Sequence, residues 1–203
     1  MAVESGNREY QLVAGHPALD LVNTLDWRFR EGEPEELLTS YSDLVRFAAQ
    51  SELLTAKEAR LLAKAAAETE QKKALTAART LREALAGALY AKLDGKKPAE
   101  PHLAQLDRMF KNAHASMTLR WAGDGARWEW PTAGAGLDLL LVRLARSAES
   151  LLTLEDLALM RACAKPDCRW LFLDTSKNHT RRWCDMKLCG NRMKARRFRA
   201  KPA

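Results

Sequence analysis

Four cysteines constrain this chain more than anything else in it. They are the only cysteines among 203 residues. They fall into two pairs of identical C-x4-C spacing, Cys163/Cys168 and Cys184/Cys189, with fifteen residues between the pairs. Each pair can bring two sulfurs to one point through a tight turn, and two such turns supply the tetrahedral thiolate set that Zn²⁺ takes. Lys165-Pro166-Asp167 suits the first turn, because Pro presets φ and Asp bonds its own backbone. Four sulfur ligands fill the coordination sphere, so such an ion is structural and leaves no position for a reacting water. Two disulfides would suit a small secreted protein, but Met1–Asn7 carries neither a basic n-region nor an apolar h-region. An iron–sulfur cluster also takes four cysteines, and spacing alone does not separate it from zinc. His179 could replace a ligand, but solvation in a polar hairpin turn is the simpler reading.

The residues around the pairs predict a layout. Arg169–Asp174 is rich in strand formers, Thr175–Asn178 is polar turn chemistry, and Thr180–Trp183 can return as a second strand. Asn191–Arg199 has good helix formers and no breaker before Pro202. Knuckle, hairpin, second knuckle and helix make a treble-clef-like finger, with a metal standing in for a core too small to fold alone.

The run Cys189-Gly190-Asn191-Arg192, with Cys163–Asp174 and Arg181–Cys184 before it, resembles the CGNR zinc-finger family of bacterial proteins, over essentially all of 161–199. In that family the finger usually follows an N-terminal ABATE domain. Gly15–Thr24 (Gly-His-Pro-Ala-Leu-Asp-Leu-Val-Asn-Thr) resembles the opening of that domain. The resemblance implies zinc binding, DNA binding and stress-related transcription regulation. It divides the chain into an ABATE-like helical domain at 1–157, a sensor or dimerisation scaffold, and a CGNR-type finger with its basic helix at 158–203.

Charge follows the same division. Residues 161–203 hold 13 Lys+Arg against 3 Asp+Glu, whereas residues 1–160 hold 20 against 23. The net charge of +7 therefore sits on the finger, the footprint of a polyanion partner. No apolar run approaches the roughly 20 residues of a membrane span. Four paired thiols and no targeting segment predict a cytoplasmic protein without a membrane partner.

The rest predicts an α+β, mostly α, chain. Residues 1–9 should fray. Pro17 suits a first helical position; His16 and Asn23 have the look of ligand-binding groups, but a cap or a buried hydrogen bond explains them more simply. Ser42 is expected to cap a helix, and Thr55-Ala-Lys-Glu58 is a capping box for another running to about Ala67. Further helices are expected over Leu75–Leu93, from Pro101 to about Ala115, and over Leu137–Leu151. Met117–Trp121 and Arg127–Trp130 read as a small hairpin whose tryptophans form a lid on the core. Leu159–Ala162 reads as a strand leading into the first knuckle.

No H-E-x-x-H, Walker or G-x-S-x-G pattern occurs, the cysteines are committed to a metal, and the chain reads as a binder rather than an enzyme. The Asn191–Arg199 helix would align Arg192, Arg196 and Arg199 for base edges, with Lys194, Arg197, Lys201, Arg181 and Arg182 on phosphates. Arg192, so close to the second knuckle, could instead hold a carbonyl or Asp174 and brace the finger. Duplex DNA is the expected partner, with a homodimer pairing two half-sites and a small-molecule effector left open. The alternative is an RNA-binding or protein-docking zinc module, in which exposed Trp170 and Trp183 would stack on unpaired bases.

Overall fold

The computed structural model describes residues 9–32, 34–64, 67–132, 136–153 and 155–199. Most of residues 1–9, expected to fray, and Lys201 and Pro202 lie outside the described residues. The class is as expected: helices dominate, three two-stranded antiparallel hairpins are inserted among them, and the cysteine-bearing finger closes the chain.

Local chemistry sets the helix starts. Helix α1 (Pro17–Asn23) opens on Pro, and its N-cap is His16, whose Nδ1 accepts from the Ala18 N–H. Strands β1 (Leu25–Asp26) and β2 (Glu35–Glu36) then pair across a loop. Helix α2 (Tyr41–Gln50) is capped by Ser40 rather than Ser42. Asp43 stands three residues after Ser40 and returns a hydrogen bond to the cap backbone, which makes the reciprocal box that Ser42 cannot. The Thr55–Glu58 box opens α3 (Ala56–Leu62), which ends short of Ala67. Helix α4 (Glu68–Leu93) starts earlier than its apolar stripe, since Glu68 and Glu70 favour its first turn. Helix α5 (Glu100–Ala115) opens on Pro101.

The hairpin β3 (Thr118–Ala122) and β4 (Gly125–Glu129) turns at Gly123-Asp124. It is not a lid, because Trp121 is 77% and Trp128 61% exposed. Helix α6 (Leu137–Thr153) packs with α4 and α5 around Leu81, Leu85, Leu89, Leu139, Leu140 and Leu144. Gly87 in α4 permits the α4–α5 approach: a Cβ there would lie 2.3 Å from His102 Nε2.

The finger's hairpin differs from expectation. Strand β5 (Met160–Ala162) pairs with β6 (Leu171–Leu173), so the first knuckle lies within the turn of the hairpin and not before it. Residues 180–183 form no strand. The far edge of β6 is taken instead by the N-terminal segment. The Asn23 side chain donates to the Leu171 carbonyl (3.0 Å) and accepts its N–H (2.9 Å), and the Leu173 N–H donates to the Ala14 carbonyl (2.8 Å). Trp170, Leu171, Phe172 and Leu173 are all buried, in one apolar cluster with Leu19, Leu21 and Phe47. A strand sealed on both faces explains why Arg169–Asp174 lacks polar alternation. Helix α7 (Asn191–Arg199) follows the second knuckle as expected.

Candidate metal centre and the basic helix behind it

The backbone brings the four cysteines together from both sides of β6. The Cys163 N–H donates to the Trp170 carbonyl (2.8 Å), which closes the first knuckle on the hairpin. Cys168 ends its turn, and Arg169 follows at φ +48°. The second knuckle is wound as a π-turn, Met186–Gly190. Asp185 caps it by accepting from the Lys187 and Leu188 N–H groups. Gly190 lets Met186 and Trp183 close over the knuckle: a Cβ there would stand 2.5 Å from Met186 Sδ and 3.2 Å from the Trp183 ring, so the exposed Met186 side chain would have to swing aside.

All four Sγ atoms lie within 4.8 Å of one another, and all four cysteines are buried. Cys184 Sγ is 3.8 Å from Cys168 Sγ and 3.6 Å from Cys189 Sγ. A disulfide needs about 2.05 Å, so these are separate sulfurs. Four sulfurs placed tetrahedrally at about 2.3 Å from a common Zn²⁺ stand about 3.8 Å apart, which matches. Four buried thiols this close together cannot all ionise unaided. A divalent cation among the sulfurs relieves that conflict by stabilising every thiolate at once. The residues fit one structural Zn²⁺, held by Cys163, Cys168, Cys184 and Cys189. The ion's contribution is to fix both knuckles and the root of α7.

The finger docks on the helices through the flanks of its knuckles. Trp170 Nε1 donates to Asp26 (2.8 Å), and the Tyr90 hydroxyl donates to the Arg169 carbonyl (3.0 Å). The Arg169 guanidinium lies 4.7 Å from the Phe29 ring, and Lys165 Nζ 4.1 Å from that of Trp27. Asp174, fully buried, organises the stretch where a return strand was expected. It accepts from the Ser176 hydroxyl (2.5 Å) and N–H (3.1 Å) and from the Arg181 N–H (2.9 Å). These bonds, the Ser176 hydroxyl first, hold its carboxyl below the usual carboxylate range.

The basic residues separate into two kinds. Arg181 is half-buried, and its guanidinium donates to the carbonyls of Val13 (2.9 Å), Trp183 (3.0 Å) and Cys184 while stacking 4.2 Å from Phe172. It ties the second knuckle to the N-terminal segment, the bracing that the sequence suggested for Arg192. Arg192 itself is exposed, as are Arg182, Lys194, Arg196 and Arg199. On α7, Arg192, Arg196 and Arg199 follow one another at i, i+4 and i+7, on one stripe of the helix. Arg197 lies in the same helix, and Lys201 beyond the described residues. Trp170, proposed as a base-stacking group in the RNA alternative, is buried with its N–H engaged; Trp183 is half-buried beside Arg182.

Residues 15–155 match the ABATE family, described as "Putative stress-induced transcription regulator". Residues 160–202 match the CGNR zinc finger. No curated protein matches the chain.

Proposed function

The chain belongs to the ABATE family and ends in a CGNR zinc finger, and we propose that it is a zinc-dependent transcriptional regulator binding duplex DNA through α7. The observation that carries this reading is the root of that helix. The fourth zinc ligand, Cys189, stands two residues before Asn191, so the metal fixes the direction of a helix whose sequence holds five cations and no acidic residue. A nine-residue helix is about 14 Å long and fits a major groove about 12 Å wide. In this reading Arg192, Arg196 and Arg199 meet base edges. Lys194, Arg197, Lys201 and Arg182 meet phosphates. We leave Arg181 out of the DNA face, because its guanidinium is spent on backbone carbonyls.

We read the chain as a cytoplasmic, non-catalytic binder: four thiolates complete the tetrahedron and leave no open position for chemistry. Among the described residues no helix is long and apolar enough to cross a membrane. Residues 1–157 would carry the sensing or dimerising role and 158–203 the DNA-binding role. For a small-molecule effector, a candidate groove lies between α4, α5 and α6. It encloses about 800 Å³ over Met109, Leu141 and Val142, with Lys73 and Arg108 at its rim. Selection of bound sequences from random duplex DNA, using the zinc-loaded protein, tests the proposal. Enrichment of one motif, lost on Arg196→Ala, is expected; no enrichment at low salt would overturn it.

A further inference from the structure

We propose that the chain self-associates as a two-fold dimer through the exposed apolar face of the β3–β4 hairpin. The hairpin register places Leu119 opposite Trp128 and Trp121 opposite Ala126, so these four side chains share one face. Leu119 is 54%, Trp121 77% and Trp128 61% exposed. Thr118, Arg120, Arg127 and Glu129 occupy the reverse face, where Arg127 pairs with Glu129 at 2.9 Å. The root of the hairpin is anchored: the Trp130 ring lies 4.1 Å from the Arg146 guanidinium and 5.1 Å from the His114 ring, against Ala113, Val142 and Ala145. Beyond that root the blade has an apolar side that nothing among the described residues covers.

Three considerations identify the occupant as a second copy. A two-stranded hairpin with no third strand or helix over its apolar face is marginal in water, so covering that face stabilises the element itself. The exposed portions of two tryptophans and a leucine amount to roughly 400 Å². That is about half of the ~800 Å² each partner gives to a standard interface, enough for a small interface once the rim is added. The face carries no charge, so a self-complementary contact buries no like-charged pair, and Arg120 and Arg127 point away from the partner. An acidic or basic partner would find no counter-charge there.

The inference deepens the half-site pairing suggested for DNA binding and rests on that reading only for its purpose, since the contact needs no DNA. The test is sedimentation of the full zinc-loaded chain without DNA, from roughly 1 to 200 µM, the micromolar range expected of a small interface. The wild type should pass from monomer to dimer. Trp121→Glu with Trp128→Glu should weaken the dimer at least about 30-fold, as loss of buried tryptophan anchors does. Arg120→Glu with Arg127→Glu should leave it within a few-fold. A wild type that stays monomeric throughout, or reverse-face variants that dissociate as readily as the tryptophan variants, would overturn the inference. If the glutamate variants lose helical circular dichroism, hydrogen exchange of the unaltered protein decides. Amides 118–129 should gain protection with concentration, and no gain would again overturn it. A dimer that binds no duplex DNA refutes the DNA reading alone; a monomer that binds DNA refutes this inference alone.

Discussion

Replacing Asn23 by Ala removes the side chain that serves both backbone groups of Leu171. The two residues are 148 positions apart, and the contacts are buried. The Leu171 N–H and carbonyl face away from β5, because the hairpin partner takes the groups of the alternate residues, Trp170, Phe172 and Asp174. Alanine therefore leaves one donor and one acceptor without partners inside the core. Each buried unpaired group costs about 1–3 kcal/mol, so the variant should lose about 2–5 kcal/mol. For a chain of this length that is a fall of about 5–15 °C in Tm. Asn23→Asp should be as damaging, since it keeps an acceptor for the N–H but sets a carboxylate against the carbonyl. The assay is denaturant unfolding of zinc-loaded protein, followed by helical circular dichroism and tryptophan fluorescence together. Coincident transitions shifted to lower denaturant are expected. A loss below about 0.5 kcal/mol, within the range of an ordinary surface change, would show that the strand does not depend on α1.

Chelation of zinc should destabilise the helices as well as the finger, because Trp170–Leu173 share one apolar cluster with Leu19, Leu21 and Phe47; circular dichroism melts with and without chelator measure this. Gly87→Ala gains about 1 kcal/mol of helix propensity but must push aside the half-buried His102 ring, which a Cβ would meet at 2.3 Å; the two effects should nearly cancel, leaving a change within about 1 kcal/mol, which thermal melts measure. Asp20 is raised by burial to about 7, above its unfolded value, so the stability its proton confers is present at low pH and declines from about pH 4 to 7, by about 4 kcal/mol at most. The stability difference between wild type and Asp20→Asn, followed against pH, should therefore change across that window and be flat above it.

The parts of this structure visible in the sequence are those written in local chemistry. The paired cysteines, the Thr55–Glu58 box, Pro17 and Pro101 each announce themselves within a few residues. Ser40 was also legible, since Asp43 stands at the box position, but Ser42 lies just as close to the apolar stripe. The finger's hairpin was misassigned for a different reason. Residues 180–183 have the composition of a return strand, yet β6 pairs backwards with Met160–Ala162 and sideways with Ala14 and Asn23. Strand choice depends on which edge is sealed by the rest of the fold, and no local pattern encodes that. Arg181 is the same lesson in a side chain. Next to Arg182 it reads as one more surface cation, and only the meeting of Val13, Phe172 and Cys184 carbonyl or ring partners turns it inward. The exposed tryptophans likewise violate the expectation that large aromatics seek cover, which is why they identify a surface.

Helix α7 is the proposed nucleic-acid contact, and a salt titration of duplex-DNA binding tests it most directly. For the wild type, log K should fall linearly with log salt with a slope of about −4, as for four or five neutralised phosphates. Lys194→Ala should flatten the slope by about one unit on every sequence. Arg196→Ala should instead cost roughly 1–3 kcal/mol on the selected site and much less on random DNA. A slope that neither substitution changes, or wild-type protein that fails to bind duplex DNA at low salt, would contradict the assignment of this helix.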